Sequence, residues 1–209
     1  MAKKGKFIVV DGCEGAGKTT LLKALAKEFS SKKILFTHEP GGTEFADKIR
    51  ALVLSEEAKE VGAETQFGLM WAARAEHLKR KIIPALKKGI TVVSDRFDSS
   101  TFAYQIYGQE AKYLEKLFWL TREIFLRECS PALYIFLDVD PKAGLQRVAS
   151  RKEKKTHFDE WELAFHKRVR AGFLEFLKNV PHKIINANQS MKVVQDDFLR
   201  IIGAEFSTY

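Results

Sequence analysis

Cysteine is scarce in this chain, and neither a disulfide framework nor a zinc-binding pattern is present. Only Cys13 and Cys129 occur among the 209 residues, and they do not form a C-x-x-C pair. A reducing cytoplasm is therefore the expected compartment. Long apolar runs are missing too, since no segment has the length of a transmembrane helix. The apolar run near the N-terminus is only as long as a strand, so we expect no signal peptide.

Acidic residues are the minority, which gives the chain a net charge of +8. A basic balance suits either nucleic acid or small phosphorylated ligands. The basic residues are dispersed and no nucleic-acid motif accompanies them, which favours small phosphates. Linkers rich in Pro, Gly or Ser and internal repeats are absent as well, so we expect one domain over residues 1–209.

Five short apolar segments predict strands buried on both faces of a parallel sheet. They are FIVV, ILFT, ITVVS, LYIFLDV and the weaker HKIINA. Longer segments with helical spacing lie between them, namely Lys18 to Phe29, Ala63 to Lys87, Lys112 to Arg127 and Asp159 to Lys178. Because strand and helix alternate, the predicted fold class is α/β, a doubly wound five-stranded parallel sheet flanked by helices.

A phosphate-binding loop follows the first strand. The pattern Gly12-x-x-x-x-Gly17-Lys18-Thr19 matches the Walker A motif of P-loop NTPases and opens a helix. Lys18 is expected to reach the β- and γ-phosphates of a nucleoside triphosphate, and the Thr19 hydroxyl to ligate Mg²⁺. The donor-nucleotide-binding residues predicted from this loop are Gly12, Cys13, Glu14, Gly15, Ala16, Gly17, Lys18, Thr19 and Thr20. Glu14 is unexpected among groups that bind anions, so something other than the donor phosphates is expected to use its carboxylate.

A second polar cluster follows the strand TVVSD. Asp95 ends that strand, where a carboxylate can hold Mg²⁺ near the loop threonine. Arg96 follows, and its guanidinium can clamp a second phosphate. A solvated Asp-Arg ion pair is the alternative. Ligands of such sheets bind outside the carboxyl ends of the strands, so this cluster and the phosphate loop are expected to form one site.

One helical stretch has an apolar face that ends in a cation. The residues at i, i+3, i+4 and i+7 are Phe67, Met70, Trp71 and Arg74. A flat apolar surface beside a hydrogen-bond donor suits a nucleobase. For Phe67 and Trp71, a stripe that faces the core or a second copy is the preferred interpretation.

Several segments together resemble the thymidylate kinase family, from about Phe7 to Ala187. They are DGCEGAGKTT, FTHEPGGTEFADKIRALVL, LMWAAR, DRFDSSTFAYQ and LYIFLDVDP. The resemblance implies Mg²⁺-dependent transfer of the γ-phosphate of ATP to thymidine monophosphate (dTMP), which gives dTDP and ADP for dTTP synthesis. It also implies a cytoplasmic homodimer, joined through the helix around Phe67 to Leu86, with no nucleic-acid or membrane partner.

The resemblance also implies roles for single residues. Glu14 matches the loop carboxylate aimed at the 3′-hydroxyl of the acceptor sugar, Arg96 and Arg50 match ligands of the acceptor phosphate, and Arg74 matches the donor to the thymine carbonyl. The remaining substrate-binding residues implied are Pro40, Met70, Ser100, Thr101, Tyr104 and Gln105. The bond before Pro40 is expected to be cis.

The sequence departs from the family pattern at two places. Met70 stands where a phenylalanine usually stacks on thymine; a thioether also packs on aromatic rings. The second place is the charged segment Ser150 to Trp161, either a solvated loop or the lid. Family members with glycine at the position of Gly15 supply a catalytic arginine from the lid, often in an Asp-Arg-x-Glu segment that this chain lacks. Arg151 is the first candidate, and Lys154 and Lys155 come next.

Two further expectations concern Arg147 and the histidines. Arg147 is expected to pack against the adenine of ATP. Because a phosphate acceptor is already anionic, no general base is needed, and the five histidines are expected to be structural or on the surface.

Two other functions stay open at this point. The chain could phosphorylate another acceptor, such as the monophosphate of deoxyuridine or deoxycytidine, although the amino group of cytosine cannot accept a hydrogen bond from Arg74. It could also be a P-loop switch or a DNA-stimulated ATPase, but the guanine-reading Asn-Lys-x-Asp segment of switches is absent.

Overall fold

The computed structural model describes residues 4–31, 33–150 and 162–206. Five parallel strands form one sheet in the order β2-β3-β1-β4-β5. The strands are β1 (Phe7–Gly12), β2 (Ile34–His38), β3 (Thr91–Asp95), β4 (Leu133–Asp138) and β5 (His182–Asn186). All five predicted strands are present, and the predicted α/β class is confirmed.

Helices flank the sheet. They are α1 (Lys18–Glu28), α2 (Glu44–Val53), α3 (Ala63–His77), α4 (Ile83–Lys87), α5 (Asp98–Thr101), α6 (Glu115–Leu126), α7 (Pro141–Ala149), α8 (Leu163–Leu177) and α9 (Met191–Phe206). Short 3₁₀ turns occupy Glu57–Lys59 and Lys112–Leu114. No helix in the described ranges is long and apolar enough to cross a membrane.

The central strand places the phosphate loop at the middle of the sheet edge. All six residues of β1 are buried, and β1 pairs with β3 on one side and β4 on the other. The register sets Val10 opposite Asp95 and Gly12 opposite Leu137. Consequently Asp95 ends its strand beside the start of the loop, at the edge where ligands of such sheets bind.

Two helical segments are wound as π-helix. The predicted helix from Ala63 to Lys87 consists of α3, a π segment at Leu78–Ile82, and α4. Pro84 explains the change of winding, because proline has no N–H and its ring conflicts with the carbonyl group four residues earlier. The second π segment, Phe102–Gly108, continues α5 and carries two of the predicted substrate-binding residues.

Helix α8 packs closely on that second π segment. A Cβ atom on Gly108 would lie 2.5 Å from Cε2 of Phe165, and one on Gly172 would lie 2.9 Å from Cα of Ala103. Side chains at these two positions would push the helix away. This close approach places the first turn of α8, with His166, against Glu14 of the phosphate loop.

Candidate active site

The phosphate loop has the geometry of an anion cradle. Gly15 and Gly17 adopt positive φ angles of 71° and 91°, and α1 begins directly after Gly17. The Lys18 ammonium group donates to the carbonyl oxygens of Gly12 at 2.9 Å and Cys13 at 3.4 Å, so it lies folded across the loop. Burial and the nearby Arg96 lower the pKa of Lys18. Loop and helix terminus together suit phosphate groups.

The loop has no room for a cationic side chain at the position of Gly15. A Cβ atom there would lie 2.2 Å from the carbonyl oxygen of Gly144 in α7, and one on Gly144 would lie 2.3 Å from the carbonyl oxygen of Glu14. Arg147 fastens the same helix to the loop, because its Nη1 donates to the carbonyl oxygens of Gly15 at 3.3 Å and Ala187 at 2.9 Å. Its predicted contact with adenine stays a prediction. Arg151, Lys154 and Lys155 lie outside the described residues.

Arg96 connects the loop to the end of β3. Its backbone has a positive φ of 64°. Nη1 lies 3.4 Å from Asp11 Oδ1, 3.3 Å from the Gly12 carbonyl oxygen and 3.2 Å from Ser100 Oγ, and Nη2 lies 3.2 Å from Glu14 Oε1. Burial disfavours the charged guanidinium, but Tyr104, Glu14 and Asp11 raise the pKa of Arg96 well above its ordinary value. The guanidinium is therefore held in one place by two carboxylates.

Ser100 lies on the phosphate side of the site. Its hydroxyl donates to Asp11 at 3.0 Å, and the hydroxyl of Ser99 donates to the same carboxylate at 2.8 Å. The substrate contact of Ser100 that the resemblance implies stays a prediction.

Glu14 is held on one oxygen and left open on the other. Oε1 accepts from Arg96 Nη2 and from the Tyr104 hydroxyl. Oε2 has no hydrogen-bond partner among the described residues, although His166 Nδ1 lies 3.4 Å away. Burial alone would raise the pKa of Glu14, but His166, Arg96 and Lys18 lower it to about 2. The carboxylate is thus ionised, and one oxygen remains able to accept a hydrogen bond.

The contact of His166 with Glu14 was not predicted from the sequence, where this histidine was expected to be structural or on the surface. The imidazole is 1% exposed and lies against Glu14, rather than on the surface. Only its position on a buried face of the last predicted helix could have indicated this contact.

Arg74 lies at the opposite end of the cluster and is also anchored. Nε donates to Glu39 Oε2 at 2.8 Å, and Nη2 donates to Thr101 Oγ1 at 3.1 Å. The second oxygen of Glu39 accepts from His77 Nδ1 at 3.0 Å, and Nε2 of His77 lies 2.7 Å from Thr37 Oγ1. His77 is thus structural, as predicted. Nη1 of Arg74 is buried without a partner among the described residues.

The apolar face before Arg74 is part of the core. Phe67, Met70 and Trp71 are 6%, 9% and 4% exposed. Trp71 packs on Phe118 and Phe125 with ring centroids 5.7 and 5.6 Å apart. The preferred interpretation of Phe67 and Trp71 as core residues agrees with this packing.

Cations and a carboxylate complete the site beside β2 and β3. The Glu39-Pro40 bond is cis, as the resemblance implied. Arg50 Nη1 donates to the Pro40 carbonyl oxygen at 2.8 Å. Burial, and then the charge of Arg96, lower the pKa of Arg50. A guanidinium whose charge is disfavoured by a second guanidinium nearby is suited to binding an anion between the two. Asp95 Oδ1 is buried without a hydrogen-bond partner among the described residues.

Buried polar atoms without partners concentrate around this site. Native proteins satisfy most buried polar groups, so an open one indicates a position for a ligand or water. Among the described residues, the atoms of this kind in the site are Glu14 Oε2, Arg74 Nη1, Asp95 Oδ1, Gln105 Oε1 and His166 Nε2. They include both donors and acceptors, as a nucleotide would require.

Comparisons with known proteins agree with this geometry. The family model described as thymidylate kinase matches residues 10–198. The thymidylate kinase of Bacillus mycoides (strain KBAB4) is 37% identical over 204 residues, which are 95% of this chain and 97% of the relative. That of Bacillus cereus (strain Q1) is 36% identical over the same shares. The crystal structure of the thymidylate kinase from Ehrlichia chaffeensis superposes with a TM-score of 0.73 and 25% identity, covering 96% of this chain and 99% of that one.

Proposed function

The chain belongs to the thymidylate kinase family, and we propose from its geometry which residues hold each substrate. It is a nucleoside monophosphate kinase that transfers the γ-phosphate of ATP to dTMP and forms dTDP. The observation that carries our assignment is a set of three cations around the carboxyl ends of the strands. Lys18 follows β1, Arg96 follows β3, and Arg50 of α2 reaches the Pro40 carbonyl beyond β2. Donor and acceptor phosphates both need neutralisation, and two phosphates explain three cations better than one.

The acceptor phosphate binds Arg50 and Arg96. Each guanidinium has part of its donor set committed to the protein, to the Pro40 carbonyl in one case and to Asp11, Glu14 and neighbouring oxygens in the other. These bonds fix the positions of the two cations before substrate arrives, which favours in-line transfer. Burial and then the charge of Arg96 lower the pKa of Arg50, and a phosphate between the two cations would offset the repulsion.

The acceptor sugar and base extend from this phosphate site. Glu14 Oε2 accepts the hydrogen bond of the 3′-hydroxyl, and the Tyr104 ring lies against the deoxyribose. Arg74 Nη1 donates to the thymine O4 atom, and Gln105 Oε1 accepts from thymine N3–H, since both protein atoms are buried and open. Met70 covers the base as its apolar contact, and Thr101 keeps Arg74 in place.

The donor side requires Mg²⁺ and a cation from the lid. Asp95 Oδ1 is a buried carboxylate oxygen without a partner among the described residues, and with the Thr19 hydroxyl it would supply oxygen ligands that this ion prefers. When bound, Mg²⁺ neutralises charge on the donor phosphates. Lys18 binds the β- and γ-phosphates, and Arg151 is the lid cation proposed here because Gly15 leaves no room for one in the loop. The acceptor phosphate attacks directly, without a general base.

A homodimer is part of the proposal, as is a cytoplasmic location. Phe67 and Trp71 pack inside one copy, so the face that meets a partner is defined instead by exposed apolar residues. Leu117, Leu120 and Ile124 on α6 are 47%, 55% and 63% exposed at helical spacing. A row of this kind indicates a protein contact.

Arg50→Met tests the acceptor site. The variant removes a charged hydrogen bond of about 1.5–3 kcal/mol, so we expect the KM for dTMP to rise about 10- to 100-fold while the KM for ATP stays unchanged. Arg200→Met is the matched control, because Arg200 lies on α9 with its side chain 74% exposed and bonded to Asp197. Equal effects on both substrates, or none, would contradict the assignment. Turnover is measured by coupled ADP release.

A further inference from the structure

A buried glutamine on α3 forms three hydrogen bonds behind the proposed base site. Gln66 is 1% exposed. Its Nε2 donates to the Ala58 carbonyl oxygen at 3.1 Å. Its Oε1 accepts from Nε2 of Gln105 at 3.1 Å and from Nε2 of Gln109 at 2.7 Å. The three amides therefore form one cluster, which we call the glutamine cluster.

A backbone group fixes the orientation of each amide in this cluster. The Ala58 carbonyl can only accept, so the NH₂ group of Gln66 must face it and its oxygen must face the other two side chains. Gln105 must then present its NH₂ group to Gln66. Its own Oε1 is consequently directed away from Gln66, and this oxygen is buried without a partner among the described residues.

The cluster lies on the face of α3 that carries the proposed base contacts. Gln66, Met70 and Arg74 follow one another at intervals of four residues and are all buried. Across from them, Thr101 bonds to Arg74 and Gln105 bonds to Gln66. Met70 is thus bracketed by two side-chain contacts between α3 and the α5 segment with its π continuation.

We propose that Gln66 is a positioning residue that makes the enzyme prefer thymine or uracil over cytosine by holding the carbonyl of Gln105 toward the base. This inference rests on the proposed function, in which Gln105 accepts from N3–H. N3 of thymine and uracil is a donor, whereas N3 of cytosine is an acceptor. Without Gln66, the terminal torsion of Gln105 can turn and offer NH₂ to cytosine, because that torsion is broad and roughly two-fold.

Gln66→Met tests the inference, because methionine keeps the length of the side chain but offers no comparable acceptor. We expect the ratio of kcat/KM for dTMP over deoxycytidine monophosphate to fall at least about fivefold, the equivalent of one hydrogen bond. The ratio of dTMP over deoxyuridine monophosphate should stay constant, since both bases carry N3–H. Arg74 discriminates against cytosine equally in both proteins, so the change in the ratio isolates the glutamine.

Three further variants test whether the change in the ratio is due to the contact between Gln66 and Gln105. Gln109→Met removes a bond from the same cluster but leaves the pair of Gln66 and Gln105, so the ratio should not change. Gln66→Glu keeps an acceptor for Gln105 and, with its buried carboxyl protonated, a donor for the Ala58 carbonyl, so it should restore the ratio to within about twofold of the parent. Gln105→Met should lower the ratio directly. If Gln66→Met does not fold, Gln66→Asn, which is too short for both contacts, replaces it in the same assay.

The results separate two kinds of failure. If Gln105→Met lowers the ratio but Gln66→Met does not, the role of Gln66 is overturned while the role of Gln105 stands. If Gln66→Met weakens both acceptors equally, Gln66 is only structural and the inference is wrong. If Gln105→Met leaves the ratio unchanged, the proposed base contact of Gln105 fails, and the inference fails with it.

Discussion

Replacing Glu14 with glutamine should weaken phosphorylation more when the acceptor carries a 3′-hydroxyl than when it does not. Glu14 Oε1 already accepts from Arg96 and Tyr104, and Oε2 is the open oxygen assigned to the sugar. Glutamine has the same shape and can keep the Tyr104 bond with its remaining oxygen. The group that changes toward the sugar is therefore the charged acceptor, which becomes a neutral amide.

The expected size of the effect follows from the charge of that acceptor. A hydrogen bond to a charged group contributes about 1.5–3 kcal/mol, and a neutral one about 0.5–1.5 kcal/mol. The difference of about 1–1.5 kcal/mol corresponds to roughly a tenfold loss in kcat/KM for dTMP. Arg96 also loses a charged partner but keeps Asp11, and this indirect effect does not depend on the sugar.

A cycle of two enzymes and two acceptors isolates the sugar contact. Parent and Glu14→Gln enzymes are each assayed with dTMP and with 2′,3′-dideoxythymidine monophosphate, and the coupling is the difference between the two mutational effects. We expect about a tenfold effect with dTMP and at most about a twofold effect with the dideoxy acceptor. Equal losses with both acceptors would refute the assignment of Oε2 to the 3′-hydroxyl and leave Glu14 as a support for Arg96.

Two further predictions concern stability and assembly. The pKa of Glu14 is lowered from 4.5 to about 2. Its ionised form therefore stabilises the fold above pH 4.5, and this contribution is lost as the pH falls toward 2. The destabilisation caused by Glu14→Gln, measured by chemical denaturation, should consequently be smaller at pH 3 than at pH 7. Ile124→Asp places a charge in the exposed apolar row of α6 and should convert a dimer to monomers in sedimentation experiments, whereas Thr121→Asp at the edge of that row should have a smaller effect.

The features that are set by residues close together in the chain could be predicted from the sequence. Each strand is a short apolar run, and the phosphate loop has its full spacing between Gly12 and Thr19. Such patterns are local, and the alternation of strand and helix then determines a parallel sheet with its ligands at one edge. The cis bond before Pro40 was predicted from the resemblance alone.

The groups that orient the site could not be predicted in the same way. Gln66, Glu39 and His166 act on residues distant in the chain, and nothing in their local pattern indicates a partner. His166 reaches Glu14 only because α8 approaches the π segment closely at Gly108 and Gly172. The close contact of Gly15 and Gly144, which excludes a loop arginine, likewise depends on how α7 packs against the loop.

The orienting groups make the identity of residue 70 less important for the choice of base. Each polar atom assigned to the acceptor nucleoside belongs to a side chain held by other bonds: Arg74 by Glu39 and Thr101, and Gln105 by Gln66. In the proposed complex such atoms would meet the base with fixed orientations, so a base with the wrong donor pattern would leave them buried and unpaired. An apolar contact above the ring contributes affinity but distinguishes poorly between pyrimidines of similar shape. Methionine in place of phenylalanine is therefore compatible with selection against cytosine, because we propose that Arg74 and Gln105 carry that selection.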